Sequence, residues 1–126
     1  MTEARRQRGS RAAATGVGAE AIAAQLLTAE GWVVLARRAR TPAGEIDLIA
    51  ERDGLLAFIE VKARPSLVEA AYALGPHQRA RLIAGAEAWL VANPGHGAAG
   101  MRFDVILVAG DGSVRRVADA FRIGDL

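Results

Sequence analysis

Of the 16 basic residues in this 126-residue chain, 15 are arginine and only one, Lys62, is lysine. Such a bias reflects the nucleotide composition of a coding genome, so abundant arginine by itself says nothing about function. The one retained lysine is more telling, because its position calls for a compact ammonium that can lose a proton, and a guanidinium cannot. Glu60 stands two residues before it, and Glu45 and Asp47 lie upstream, beyond Asp53-Gly54. Carboxylates beside an ammonium suit a particular chemistry. Two of them can share a hard, oxygen-seeking cation such as Mg²⁺. The cation can acidify water and polarise a phosphate ester, while the ammonium orients that water or balances charge on the phosphoryl oxygens.

The elements that must position these groups can be read around the turn. Asp53-Gly54 predicts a two-residue hairpin loop, since Gly readily takes the positive φ of a type I′ turn. Arg52 then pairs with Leu55, and the register places Asp47 opposite Glu60 and Glu45 opposite Lys62. Opposed Cβ atoms lie roughly 4.5–5.5 Å apart, and side chains two apart share a face. All four ionisable residues are therefore expected on one side, with Ile46, Leu48, Ile59 and Val61 on the other under a helix. Opposed like charges destabilise a sheet unless a cation compensates. The plain alternative is a solvated hairpin with a Glu45–Lys62 ion pair, worth roughly 0–1 kcal/mol.

Apolar spacing predicts a helix from Gly18 to Glu30, with Ile22, Ala23, Leu26 and Leu27 inward and Gly31 as its stop. Trp32 to Ala36 reads as a strand, followed by the arginines at 37, 38 and 40 and a break at Pro42. Glu45–Glu51 and Leu55–Lys62 form the hairpin. A short helical turn is expected around Val68 to Ala73. Pro76 opens a helix to Ala92, with Leu82, Ile83, Ala86, Trp89 and Leu90 as its stripe. Arg102–Ala109 and Val114–Ala118 are the last strands, joined at Asp111-Gly112. The order αβββαββ implies an α/β fold, a mixed sheet flanked by helices. Residues 1–15, with Arg5, Arg6, Arg8 and Arg11, read as a disordered basic tail, leaving one domain over 16–126.

Residues 44–64, GEIDLIAERDGLLAFIEVKAR, resemble the core of the PD-(D/E)XK nuclease superfamily, and more closely the small YraN-like predicted endonucleases related to Holliday-junction resolvases. An Asp followed on the next strand by Glu-x-Lys is the shared pattern, here Asp47 and Glu60-Val61-Lys62. An upstream helix pattern is matched by Gly16, Glu20 and Ala23, and a late Arg-Phe-Asp-Val strand by residues 102–105. The resemblance implies a restriction-endonuclease-like core and a Mg²⁺- or Mn²⁺-dependent endonuclease acting on structured or branched DNA. By the same likeness Asp47, Glu60, the Val61 carbonyl and Glu20 would hold the metal, Lys62 would assist the attacking water, and Glu45 would support the site. The chain departs from the pattern at Ala19, at Ala63, and at the second long helix, where His77, Gln78, Arg79 and Arg81 replace a lysine-bearing basic cluster. This last departure implies an altered grip on substrate.

Arg37, Arg38, Arg40, Arg64, Arg79 and Arg81 all come from segments flanking the hairpin and are the candidate phosphate contacts. Two other classes compete with the enzyme: a non-catalytic nucleic-acid-binding module on the same fold, and a protein adaptor whose acidic hairpin merely binds a cation. The formal charge of +2 decides nothing between them. Zero cysteines exclude disulfides and thiolate metal sites, which fits a cytoplasmic protein. No apolar run reaches the roughly 18 residues of a membrane span, so no membrane partner is expected. Cutting a junction would favour a homodimer carrying two sites. The string GHGAAG follows a helix and precedes a strand, the reverse of a dinucleotide fingerprint. His77 and His96 lie in separate segments and make poor joint ligands.

Overall fold

The computed structural model describes residues 16–71 and 75–121. The tail expected over 1–15 lies outside the described residues. Helix α1 (Gly16–Ala29) leads to strands β1 (Val33–Thr41), β2 (Gly44–Arg52) and β3 (Leu55–Ala63). Short α2 (Leu67–Ala71) and long α3 (Pro76–Ala92) precede β4 (Gly100–Val108) and β5 (Val114–Phe121). The five strands form one sheet in the order β1-β2-β3-β4-β5, with β3 and β4 parallel and the other neighbours antiparallel. This is the α/β architecture expected, a mixed sheet between helices.

Each face of the sheet buries its own core. Beneath α1, Ala19, Ala23, Ala24 and Leu27 meet Leu48, Ala50, Ala57, Ile59, Ile106 and Val108. Three alanines on the inner helix face let its backbone come close to the sheet. On the other face, Leu82, Ile83 and Ala86 of α3 cover Ile46, Ile49, Leu56, Phe58, Phe103, Val105 and Leu107. Gly85 brings α3 against the start of β2, where a Cβ would stand 3.3 Å from both Ile46 and Thr41 Oγ1. The unbroken apolar run of β4 from Val105 to Val108 reflects burial on both faces, as is usual beside a parallel neighbour.

Strand β1 runs five residues beyond Ala36, the end predicted for it, and absorbs the arginine cluster. An edge strand is solvated along its outer side, so Arg37, Arg38 and Arg40 stay exposed while the backbone still pairs with β2. Pro42 and Ala43 then form a two-residue link between Thr41 and Gly44, closed by Thr41 Oγ1 donating to the Gly44 carbonyl at 2.7 Å. Strand β5 also outruns its predicted end at Ala118, reaching Phe121. Among the described residues no helix is long and apolar enough to cross a membrane.

Candidate active site

The Asp53-Gly54 turn has the expected geometry, with φ of 52° and 80°. It sets the predicted register from Arg52↔Leu55 through Leu48↔Ile59, where β2–β3 pairing stops. Past this point the strands part. β2 stays with β1 as far as Thr41↔Gly44, and β3 stays with β4 as far as Ala63↔Val108. Asp47 is the first residue of β2 inside the fork, and its Oδ2 accepts the Val61 N–H at 2.8 Å. A side chain thus replaces a ladder bond and satisfies the amide that splaying would orphan.

The fork corrects the expected facing of the hairpin. Leu48, Ile59 and Val61 do share the core beneath α1, but Ile46 packs beneath α3. Residues two apart should share a face, so the alternation breaks at Asp47, which turns into the gap between strands. On β1, between the pairs that flank Asp47, Arg38 has a left-handed backbone, with φ of 51°. Regular pairs flank the two, Arg37↔Leu48 on one side and Ala39↔Ile46 on the other. The ionisable groups consequently do not line one flat face. They gather around the mouth of the fork.

Ligand-capable oxygens of Glu20, Glu45 and Asp47 all lie within 4.8 Å of one another. Glu20 arrives from α1, whose packing on the sheet carries it over the fork with its side chain only 12% exposed. Glu60 is held by Lys62, with Nζ 3.0 Å from Oε1 and both side chains largely sequestered. Together these surroundings push the Asp47 carboxyl up to about 7. Burial is the main cause and the charge of Glu60 the next, with Glu20 adding to both; the Val61 amide opposes them by stabilising the anion. A carboxyl that retains its proton near neutrality is short of positive charge. An all-oxygen group this compact fits a hard divalent cation.

The chain belongs to the UPF0102 family. The model of Uncharacterised protein family UPF0102 matches residues 19–108, which contain most of α1 and all of the hairpin, α3 and β4. A UPF0102 protein of Granulibacter bethesdensis is 58% identical over 118 residues, covering 94% of this chain and 75% of that relative. Another from Bradyrhizobium is 56% identical over 107 residues, covering 85% and 76%. A third, from Rhodopseudomonas palustris, is 59% identical over 95 residues, covering 75% and 72%. The UPF0102 match spans every acidic residue of the fork.

The candidate arginines divide by position. Arg38 Nε reaches Glu20 Oε2 at 3.2 Å and Glu45 Oε1 at 3.7 Å, so it belongs to the acidic group itself. Arg40 is paired with Glu45 across the β1–β2 ladder. The Arg81 stem lies over Gly44, so close that a Cβ there would come within 3.0 Å of it. Arg37 is exposed on β1, across the ladder from Leu48, Arg79 is half-buried on α3, and Arg64 donates to the neighbouring Ala63 carbonyl. His96 binds Glu51 at 3.0 Å, away from the fork.

A second charged cluster forms around Asp104, whose pairing with Arg102 is the part that strand spacing can supply. Asp104, fully buried, accepts from Arg102, from both Nε and Nη2 of Arg116, and from the Asp119 amide. The guanidinium carbons of Arg52, Arg102 and Arg116 stand 4.7–5.1 Å from the buried Trp32 ring, within cation–π range. Arg116 also pairs with Glu30 at the end of α1. The alternation of β4 could have placed Asp104 inward, but its second arginine comes from β5, which no local spacing connects to it. These contacts tie β5 to α1 at the opposite end of β2 from the fork.

Proposed function

We propose that this protein is a metal-dependent endonuclease of the PD-(D/E)XK superfamily, hydrolysing phosphodiester bonds of structured or branched DNA. The observation that carries this reading is the fork. It brings Asp47 together with Glu20 and Glu45 on one side and with the Glu60–Lys62 pair on the other. Mg²⁺ or Mn²⁺ would be held among Asp47, Glu20 and Glu45, whose oxygens converge, with Glu60 and the Val61 carbonyl, ligands by the family likeness, completing its surroundings. Once bound, the ion supplies charge that polarises the phosphate ester and acidifies a water.

The remaining work falls to the chain. Lys62, fixed by Glu60 and largely removed from solvent, presents an ammonium that can orient the attacking water and offset charge on the phosphoryl oxygens. Asp47 is positioned by the Val61 amide, so its carboxylate cannot rotate freely away from the fork. Arg40, across the ladder from Glu45, and Arg81, over Gly44, border the opening, where phosphates flanking the cleaved bond would pass. Contacts of this kind fix the strand's register without reading bases.

The test uses junction, flap and duplex DNA, each with and without Mg²⁺ or Mn²⁺. Cleavage should require the ion and should vanish in Lys62→Ala and in Asp47→Asn. Lys62→Arg, which preserves charge but not compactness, should fold normally and cut poorly. Binding without nicking under every ion would sink the enzyme and leave a nucleic-acid-binding module. No binding even at low salt, where phosphate contacts are strongest, would leave an adaptor.

A further inference from the structure

Arg38 holds a left-handed backbone conformation in the middle of β1, with φ of 51°. A residue bearing a Cβ rarely takes this conformation, which costs about 1 kcal/mol or more. Its position between the pairs that flank Asp47 aims the guanidinium at the fork rather than along the strand face. There it contacts Glu20 and Glu45, two of the three carboxylates whose oxygens converge within 4.8 Å. The carboxylates are unequal partners: Glu20 is 12% exposed and Glu45 43%, and the half-exposed arginine reaches inward to both from the solvent side.

A divalent ion among Glu20, Glu45 and Asp47 and a guanidinium on two of the same carboxylates draw on the same negative charge, and the two cations repel at such separations. We propose that Arg38 is the resident counter-cation of this acidic group, that it competes directly with the divalent ion, and that its displacement hands the guanidinium to a substrate phosphate. The inference rests on the nuclease reading and adds to it a residue that couples metal entry to substrate grip. The hand-off follows from chemistry: a displaced arginine at the mouth, between Arg37 and Arg40, has a planar fork of donors suited to phosphate oxygens.

The test compares wild type with Arg38→Gln and Arg38→Ala, both of which keep a Cβ at the same φ and so share the backbone cost. Mn²⁺ titrated into each full-length protein, followed by calorimetry, should bind the variants about three- to tenfold more tightly, the scale expected from removing two partly exposed ion pairs. In Ca²⁺, taken as a non-cleaving ion, their affinity for junction DNA should fall. Equal or weaker Mn²⁺ binding by both variants, with melting temperatures unchanged, overturns the competition while leaving the nuclease reading standing. Tighter Mn²⁺ binding with unaltered DNA affinity overturns the hand-off. No Mn²⁺ bound by any of the three proteins overturns this inference and the proposed function together.

Discussion

Asp47 carries a measurable consequence of its surroundings. Its folded-state pKa of about 7 stands well above the ordinary 3.8, so between these values the folded chain binds more protons than the unfolded one. The stability this contributes is complete below pH 3.8 and is lost as pH rises through 7. At pH 8, without divalent ions, the fork therefore destabilises the protein, and Asp47→Asn should relieve it while keeping an oxygen for the Val61 amide. The gain should be about 1–2 kcal/mol after allowing for solvent screening, or roughly 5–10 °C in Tm, shrinking toward zero by pH 4 in EDTA. A variant that melts below wild type at pH 8 would refute this electrostatic account. Removing the Asp104 carboxylate should lower stability instead. Its buried carboxylate joins two guanidinium groups, so Asp104→Ala leaves them facing each other and should cost about 3–5 kcal/mol, seen as a large fall in the urea midpoint. The sequence made the first of these residues legible and half-hid the second. Asp47 was marked by its distance from Glu-x-Lys, whereas Asp104 owes its strongest partner to a strand twelve residues away.

At the scale of elements, the turn at 53–54 was readable because its chemistry is local, and it fixed the register of everything up to Leu48 and Ile59. The fork beyond was not readable, since it arises from competition between neighbours: β1 retains one strand and β4 the other. The arginine run of β1 was equally opaque, because charge alternation looks the same on a loop and on a solvated edge. Two glycines test how separable these features are. Gly54 sits in the turn with φ of 80°, and a Cβ there would meet the Ala99 backbone nitrogen at 3.3 Å. Gly54→Ala should cost about 1–2 kcal/mol in stability yet leave Mn²⁺ affinity unchanged, the fork being at the other end of the hairpin. Gly44, with φ of 130°, adjoins Glu45, and a Cβ would stand 3.0 Å from the Arg81 stem. Gly44→Ala should therefore lower stability and Mn²⁺ affinity together. Chemical denaturation paired with Mn²⁺ calorimetry reads both, and identical behaviour of the two variants would count against a site confined to the fork.

Across the whole molecule, the net charge of +2 is too small to draw a polyanion from a distance. Affinity for nucleic acid must then depend on where the arginines stand. Seven of the candidates and structural arginines are already engaged or displaced from the opening: Arg38 by Glu20 and Glu45, Arg64 by its own neighbour's carbonyl, Arg79 by partial burial, and Arg52, Arg102 and Arg116 by the Trp32 cluster, with Arg115 exposed on β5 at the far edge of the sheet. Arg40 and Arg81 remain beside the fork, one across the ladder from Glu45 and the other over Gly44. If they hold phosphates, each releases counterions on binding, and log K should fall with log salt by about 0.9 per contact. Arg40→Ala and Arg81→Ala should each flatten that slope by roughly one unit and weaken junction and duplex binding alike, because backbone contacts carry no sequence information. Arg115→Ala has the same change of charge but should leave the slope where it was. Fluorescence anisotropy from 50 to 300 mM salt, in Ca²⁺, separates these cases. A loss in Arg115→Ala as large as in Arg40→Ala would mean that net charge, and not the mouth of the fork, governs binding.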